Sequence, residues 1–184
     1  MDMNNDGVIN DKDKVVLGSA TPDMFGSIFT RFEYKQFTLD MTFAYSIGND
    51  AYNAVRRITE SGSDFSNQST SLNRRWSMEG QVTDIPRATY GDKVGNNDFS
   101  DRWIENASYL KMRDITLSYT WSKPLFKFIQ GGTVFVTGQN LFCITDYLGL
   151  DPEFSYSYSS VMQGVDYAKV CAPRSVKFGI NLKF

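Results

Sequence analysis

Gln36-Phe37-Thr38-Leu39-Asp40-Met41-Thr42-Phe43-Ala44-Tyr45-Ser46-Ile47 is the stretch from which the fold class follows. Each odd position from Phe37 to Ile47 is large and apolar, and each even position from Thr38 to Ser46 is small or polar. Successive side chains of a strand point to opposite faces, so the pattern predicts one strand with an apolar and a polar side. Before it, Phe25 to Tyr34 carries Ile28, Phe32 and Tyr34 on one face and Ser27, Arg31 and Glu33 on the other. The two runs meet across Lys35-Gln36. A two-residue hairpin sets Tyr34 opposite Phe37, Phe32 opposite Leu39 and Ile28 opposite Phe43, with Arg31 opposite Asp40 on the polar side. Two independent alternations thus agree on one register.

Three further strands follow. Ile115, Leu117, Tyr119 and Trp121 alternate with Asp114, Thr116, Ser118 and Thr120. Thr133 to Thr145 opens with Val134 and Val136, then loses phase around Gly138 and Asn140, where a bulge is expected. At the end, Val176, Phe178, Ile180, Leu182 and Phe184 alternate with Lys177, Gly179, Asn181 and Lys183. The connections run short, long, short, long, with 48–106 and 146–172 as the long ones. Tight turns on one side and long loops on the other are the mark of an up-and-down membrane barrel. Helical stretches are expected inside the first long loop, at Ala51–Glu60 and Thr70–Glu79. No run of about 18 apolar residues exists, so no transmembrane helix is expected, but a barrel hides its spans in alternation. The polar, acidic N-terminus reads as neither a signal nor a transit peptide.

Composition removes whole classes of chemistry. The 184 residues contain no histidine, which excludes Ser-His-Asp, Cys-His and His-ligated metal sites. Two cysteines rule out a disulfide scaffold and a cysteine zinc site. Cys143 and Cys171 fall near the same ends of adjacent strands, as a disulfide or as free thiols. Nineteen basic against 21 acidic residues give a net charge of -2, with no basic patch for a nucleic acid. Fourteen Phe and 10 Tyr favour strands. Asp84, Asp92 and Glu105 lie in a long loop with nothing to pair them for catalysis. Trp76, Trp103, Tyr147, Phe154, Tyr156 and Tyr158 could stack on sugar rings or pack the loops together.

One local motif is sharp. Asp2-Met-Asn4-Asn-Asp6-Gly7-Val8-Ile9-Asn10-Asp11-Lys12-Asp13 follows the calcium-loop pattern. Oxygen side chains stand at loop positions one, three and five (Asp2, Asn4, Asp6), with Gly7 at the sharp turn. The Val8 carbonyl, Asn10 through a water, and Asp13 complete the ligand set. An Asn/Asp-rich turn that binds no metal is the plain alternative.

These residues together resemble the SusC/RagA-type TonB-linked outer-membrane proteins, in the C-terminal part of their barrel. The resemblance rests on the calcium-type loop, Pro22-Asp23, Phe25-Gly26, Gly48-Asn49-Asp50, Arg75-Trp76 and Thr83-Asp84-Ile85-Pro86-Arg87. It continues through Arg102-Trp103-Ile104-Glu105, Ser108-Tyr109-Leu110, Gly138-Gln139-Asn140-Leu141-Phe142, Asp151-Pro152-Glu153, Gly164-Val165-Asp166-Tyr167 and Pro173-Arg174. Gln36 departs from the glycine usual in that turn. The order and spacing of these motifs, from Asp2 to Phe184, carry the likeness.

The resemblance implies an all-β fold: the C-terminal antiparallel strands, about five, of a large transmembrane β-barrel of about 22 strands, with long extracellular loops carrying short helices. The expected segments are 1–24 (calcium-type loop and lead-in), 25–47 (hairpin), 48–106 (long extracellular loop), 107–145 (hairpin), 146–172 (extracellular loop) and 173–184 (terminal strand). It implies a part of a non-enzymatic outer-membrane transporter for glycans or oligopeptides. The implied partners are a SusD-like surface lipoprotein, the TonB complex, the barrel-assembly machinery and outer-membrane lipid. Val176, Phe178, Ile180, Leu182 and Phe184 are the implied assembly signal. These residues include no plug and no TonB-contacting segment, so import by them alone is not expected. Two rivals stand beside this reading: a soluble calcium-stabilised β-sandwich acting as a carbohydrate-binding or adhesion module, and an outer-membrane barrel enzyme.

Overall fold

The computed structural model describes residues 2–8, 10–124, 128–154 and 160–184. The first two strands, β1 (Met24–Tyr34) and β2 (Phe37–Ile47), form the hairpin that the alternation requires. Arg31 pairs with Asp40, Phe32 with Leu39 and Tyr34 with Phe37. The turn is made at some cost, because Lys35 adopts φ 54°, the left-handed region that penalises a side chain by about 1 kcal/mol.

The chain then forms β3 (Asp50–Asn53) and a helix, α1 (Ala54–Thr59), followed by β4 (Ile104–Asn106) and β5 (Tyr109–Trp121). It continues as β6 (Gly131–Gln139), β7 (Cys143–Thr145), β8 (Val165–Asp166) and β9 (Ser175–Lys183). The main sheet runs β1-β2-β5-β6-β9, antiparallel throughout, with β7 also on β5. Its long strands hold 9 to 13 residues, and about 9–11 cross a bilayer. A small second sheet, β4-β3-β8, gathers segments of both long loops.

Side chains that pair directly share a face, so the pairings define rows across all five long strands. Phe32, Leu39, Leu117, Val136 and Phe178 form one apolar row, and Tyr34, Phe37, Tyr119, Val134 and Ile180 the next. The opposite face carries Arg31, Asp40, Thr116, Thr137 and Lys177 in one row and Phe29, Thr42, Asp114, Gln139 and Ser175 in another. A glycine admits a large ring where rows would otherwise clash: a Cβ on Gly179 would collide with the Phe135 ring.

The apolar face is left uncovered. Phe32 is 57%, Leu117 45% and Phe178 82% accessible, and among the described residues no second sheet covers them. The buried apolar residues lie mostly elsewhere, at Ala51, Ala54, Ile85, Trp103, Ala107 and Tyr147. A soluble sandwich buries the inner faces of its two sheets against each other. This sheet does the reverse, and its hydrophobic core sits in the loops.

Several local expectations change. The helix expected over Ala51–Glu60 is shortened to α1, because Ala51 and Tyr52 pair with β4 and Tyr52 and Asn53 with β8. The Asn53 side chain then caps the helix by accepting from the Arg56 N–H at 2.9 Å. The helix expected over Thr70–Glu79 is a single 3-10 turn, Thr70–Arg74. The strand expected over Thr133–Thr145 is two, β6 and β7, both on β5. Between Gln139 and Cys143 the chain takes one residue more than β5 does between Asp114 and Lys111. Asn140, at φ 52°, absorbs it, and its N–H donates to the Arg113 carbonyl at 2.9 Å. Cys143 and Cys171 are both free.

Candidate functional site: a loop platform over the polar face

Two devices place the loops. The first is in β5, whose register against β2 shifts between Thr42 and Phe43: Thr42 pairs with Asp114 and Phe43 with Met112, which leaves Arg113 as the extra residue. Lys111 pairs with Ala44 and so points to the polar face that carries Asp40. The Lys111 Nζ donates to Asp151 at 2.8 Å and to Glu153 at 3.2 Å, and Arg113 donates to the other Glu153 oxygen. Lys111 is 4% exposed. Two bases on the wall thus hold two acids of the loop after β7, and that loop lies over the polar face.

The second device knits the long loops together. The parallel β3–β8 pairing joins them through the backbone, and the Tyr52 N–H donates to the Gly164 carbonyl at 2.7 Å. Tyr147 is buried beside Ala51, Ala107 and Phe154, and its hydroxyl donates to Asp166 at 2.7 Å. Burial, with the Asp166 carboxylate second, pushes the Tyr147 hydroxyl far above its ordinary pKa. Glu105 accepts from Arg56 at 2.5 Å, from the Asn53 amide at 3.3 Å and from the Leu148 N–H at 3.0 Å. Burial opposes the charge on Arg56, but Glu105 and Glu60 outweigh it, and its pKa stands above the usual value. Arg102 lies over the Trp103 ring at 4.3 Å; there burial wins and lowers its pKa.

The aromatic residues singled out from sequence divide accordingly. Trp103 and Tyr147 are buried and pack the loops, Trp76 is half-buried, and Phe154 stacks on Tyr147 at 5.6 Å. Tyr156 and Tyr158 lie outside the described residues. An exposed ring pair that the alternation did not point to, Phe65 with Tyr90 at 5.2 Å, stands on the first loop. Of the acids, Asp84 lies 3.6 Å from Arg74, and Asp92 accepts from the Asn96 and Asn97 N–H groups. Each of these acids, Glu105 included, has a structural partner.

The calcium-type loop is folded around its own oxygens. Asp2 accepts from the Gly7 N–H at 2.8 Å, Asn4 from Asp6 at 3.0 Å, Asp6 from Val8 at 2.9 Å and Asn10 from Lys12 at 2.9 Å. Asp13 closes it, accepting from Met3 at 2.8 Å and Asn10 at 2.7 Å, and these N–H groups hold its carboxyl below the ordinary value. The second Asp2 oxygen, Oδ1, is buried with no hydrogen-bond partner. That orphaned acceptor fits a cation, and so does a donor set made wholly of oxygen. Among the described residues no three acidic or Cys side chains stand close enough to hold a metal on their own, so the Asn oxygens and the Val8 carbonyl would have to contribute. Of the terminal residues, Val176, Phe178, Ile180 and Leu182 occupy the exposed apolar face of β9, and Phe184 follows it, also exposed.

Solved structures share this fold. The chain superposes on the RagAB peptide transporter with a TM-score of 0.77 and 28% identity over 92% of its length, covering 18% of that chain. The same importer in its open-open state gives 0.75 and 27%. In sequence it is 29% identical to the TonB-dependent receptor SusC of Bacteroides thetaiotaomicron over its whole length. It is 28% identical to TonB-dependent receptor P3 of Formosa agariphila over the same span. The chain is homologous to the SusC/RagA-type TonB-dependent receptors. No family model matches it. It spans 18% and 17% of the length of P3 and SusC. Among the described residues no helix is long and apolar enough to cross a membrane.

Proposed function

We propose that this receptor segment is the C-terminal wall of an outer-membrane transporter that imports oligopeptides or glycans. The observation behind this reading is the one-sided sheet: five long strands, apolar outward and polar inward, whose apolar rows stay exposed. Lipid is the medium that such a face requires. Five strands fall short of the roughly eight of the smallest single-chain barrels, so transport belongs to a longer barrel that contains them. The two-residue turn at Lys35-Gln36 faces the periplasm, and the platform built from 48–106 and 146–172 stands outside the cell. There it forms part of the vestibule and the contact with a SusD-like lipoprotein. Energy reaches the barrel from TonB through parts that precede this wall, no catalytic step is involved, and the barrel-assembly machinery reads Val176 to Phe184.

The likeness to a peptide transporter supports the oligopeptide class, and glycans are the alternative cargo. Uptake of a labelled oligopeptide and of a labelled oligosaccharide by cells with and without the complete receptor separates them. Loss of one uptake names the cargo; unchanged uptake of both refutes transport. The calcium-type loop lies on the outer side, before β1 descends. Calcium there is held by Asp2, Asn4, Asp6, the Val8 carbonyl and Asp13, with Asn10 acting through water. Calcium titration of the complete receptor against its Asp6→Ala variant tests this, and equal affinity would make the loop an ordinary polar turn.

A further inference from the structure

Two bases inside a membrane strand, clamped onto two acids of a loop, need an explanation that barrel closure does not supply. Lys111 is 5% and Asp151 12% exposed at the side chain, so this pair is desolvated, and Glu153 is shared between Lys111 and Arg113. Arg113 reaches Glu153 only because β5 carries one residue more than β2 at that point. Among the described residues, the clamped turn is the one place where the second long loop is tied by charge to the wall. Bonds of that loop to the first loop run from Leu148 to Glu105 and from β8 to β3, while Tyr147 donates to Asp166 within the second loop itself. The platform is therefore built as one piece with a single ionic tether.

We propose that Lys111 and Arg113 are positioning residues that latch the described parts of both loops, 48–106 with 146–154 and 160–172, as one shutter over the polar face of the barrel wall. The bulge at Arg113 is the structural device that doubles the latch. Removing both bases leaves Asp151 and Glu153 beside a wall with no compensating charge, and the shutter detaches. Because the loops are knit together, release is felt across β3 and β8 and not only at Asp151. The inference rests on the barrel reading just for the side to which the shutter faces.

The test is hydrogen exchange on the complete receptor in detergent, comparing wild type with Lys111→Met/Arg113→Gln. Exchange is expected to speed up about tenfold or more over 147–154, 50–53 and 164–166, while 115–121 is unchanged. The charge-conserving Lys111→Arg/Arg113→Lys variant should exchange more slowly than the neutral variant over the same segments, and equal exchange in the two would overturn the ionic latch. Faster exchange confined to 151–153 would overturn the single shutter, and no acceleration would overturn the latch. Where the neutral variant loses its heat-modifiable fold, the fourfold reversal Lys111→Glu/Arg113→Glu/Asp151→Lys/Glu153→Lys decides. Restored protection supports the latch and failure to restore it refutes it. Neither result depends on cargo, so transport can fail or stand independently.

Discussion

Leu117→Arg, with Ser118→Arg as its neighbour on the opposite face, tests which side of the sheet meets lipid. Leu117 lies in the central apolar row between Leu39 and Val136, four residues from Trp121 at the turn end of β5. At about 3.4 Å per residue that is about 14 Å along the strand. A tilt of about 40° leaves it about 10 Å deep in an apolar band about 25 Å tall, close to the midplane. An arginine on the lipid face costs about 2–4 kcal/mol there. Ser118 pairs with Thr38 and Phe135 on the polar face, where a long cation can reach water, and its replacement should cost under about 1 kcal/mol. The difference, about 2 kcal/mol, is roughly thirtyfold in the folding equilibrium. Denaturant titration of the complete barrel in lipid vesicles, with heat-modifiability as the measure of folding, reads it directly. Equal costs, or a greater cost at Ser118, would refute the assignment of faces and with it the membrane role of this sheet.

Arg31 and Asp40 are joined at 2.6 and 3.1 Å on the polar face, with the arginine half exposed. A double-mutant cycle with Arg31→Ala and Asp40→Ala should return a coupling of less than about fivefold in the folding equilibrium; a larger value would mean a dry lumen. Asp13 has its carboxyl held below the ordinary 3.8 by backbone N–H groups, so its contribution to the loop is full above that value and lost as pH falls through the lowered pKa. Protection of the Met3 and Asn10 amides should be flat from neutral pH down to about 4 and fall below it; loss at about pH 6 would contradict the bonding. Deleting Phe184 from the complete receptor should lower the amount of heat-modifiable protein in the outer membrane without abolishing synthesis, and wild-type levels would count against an assembly signal.

The hairpin was legible because its evidence was redundant. Two alternations and a two-residue turn agree on one register, and Arg31 does face Asp40. The family likeness was legible for a similar reason, since many weak motifs recur in a fixed order. The helices were less so. Ala51–Asn53 has acceptable helical character, and only pairing with two distant segments, 104–106 and 164–166, draws it into a strand. Trp103 and Tyr147 looked like candidates for stacking on a ligand, yet burial takes both out of reach. Lys111 and Arg113 gave a faint signal as two bases inside a strand, and Asp151-Pro152-Glu153 another, but nothing local joined them.

Period-two alternation and strand length are properties of residues close together in the chain, and the absence of histidine is one of composition. The strands, their two faces, the first register and the exclusion of histidine chemistry could therefore be read from the order of residues. That the apolar face stays uncovered, and where the core lies, emerged only from the folded molecule. An apolar strand face looks the same in a sandwich and in a barrel until its covering is known. The latch belongs to the fold as well, because Lys111 and Asp151 meet across 40 residues and depend on a one-residue bulge in β5. Hydrogen-bond registry between strands creates that bulge, and no property of either segment alone contains it.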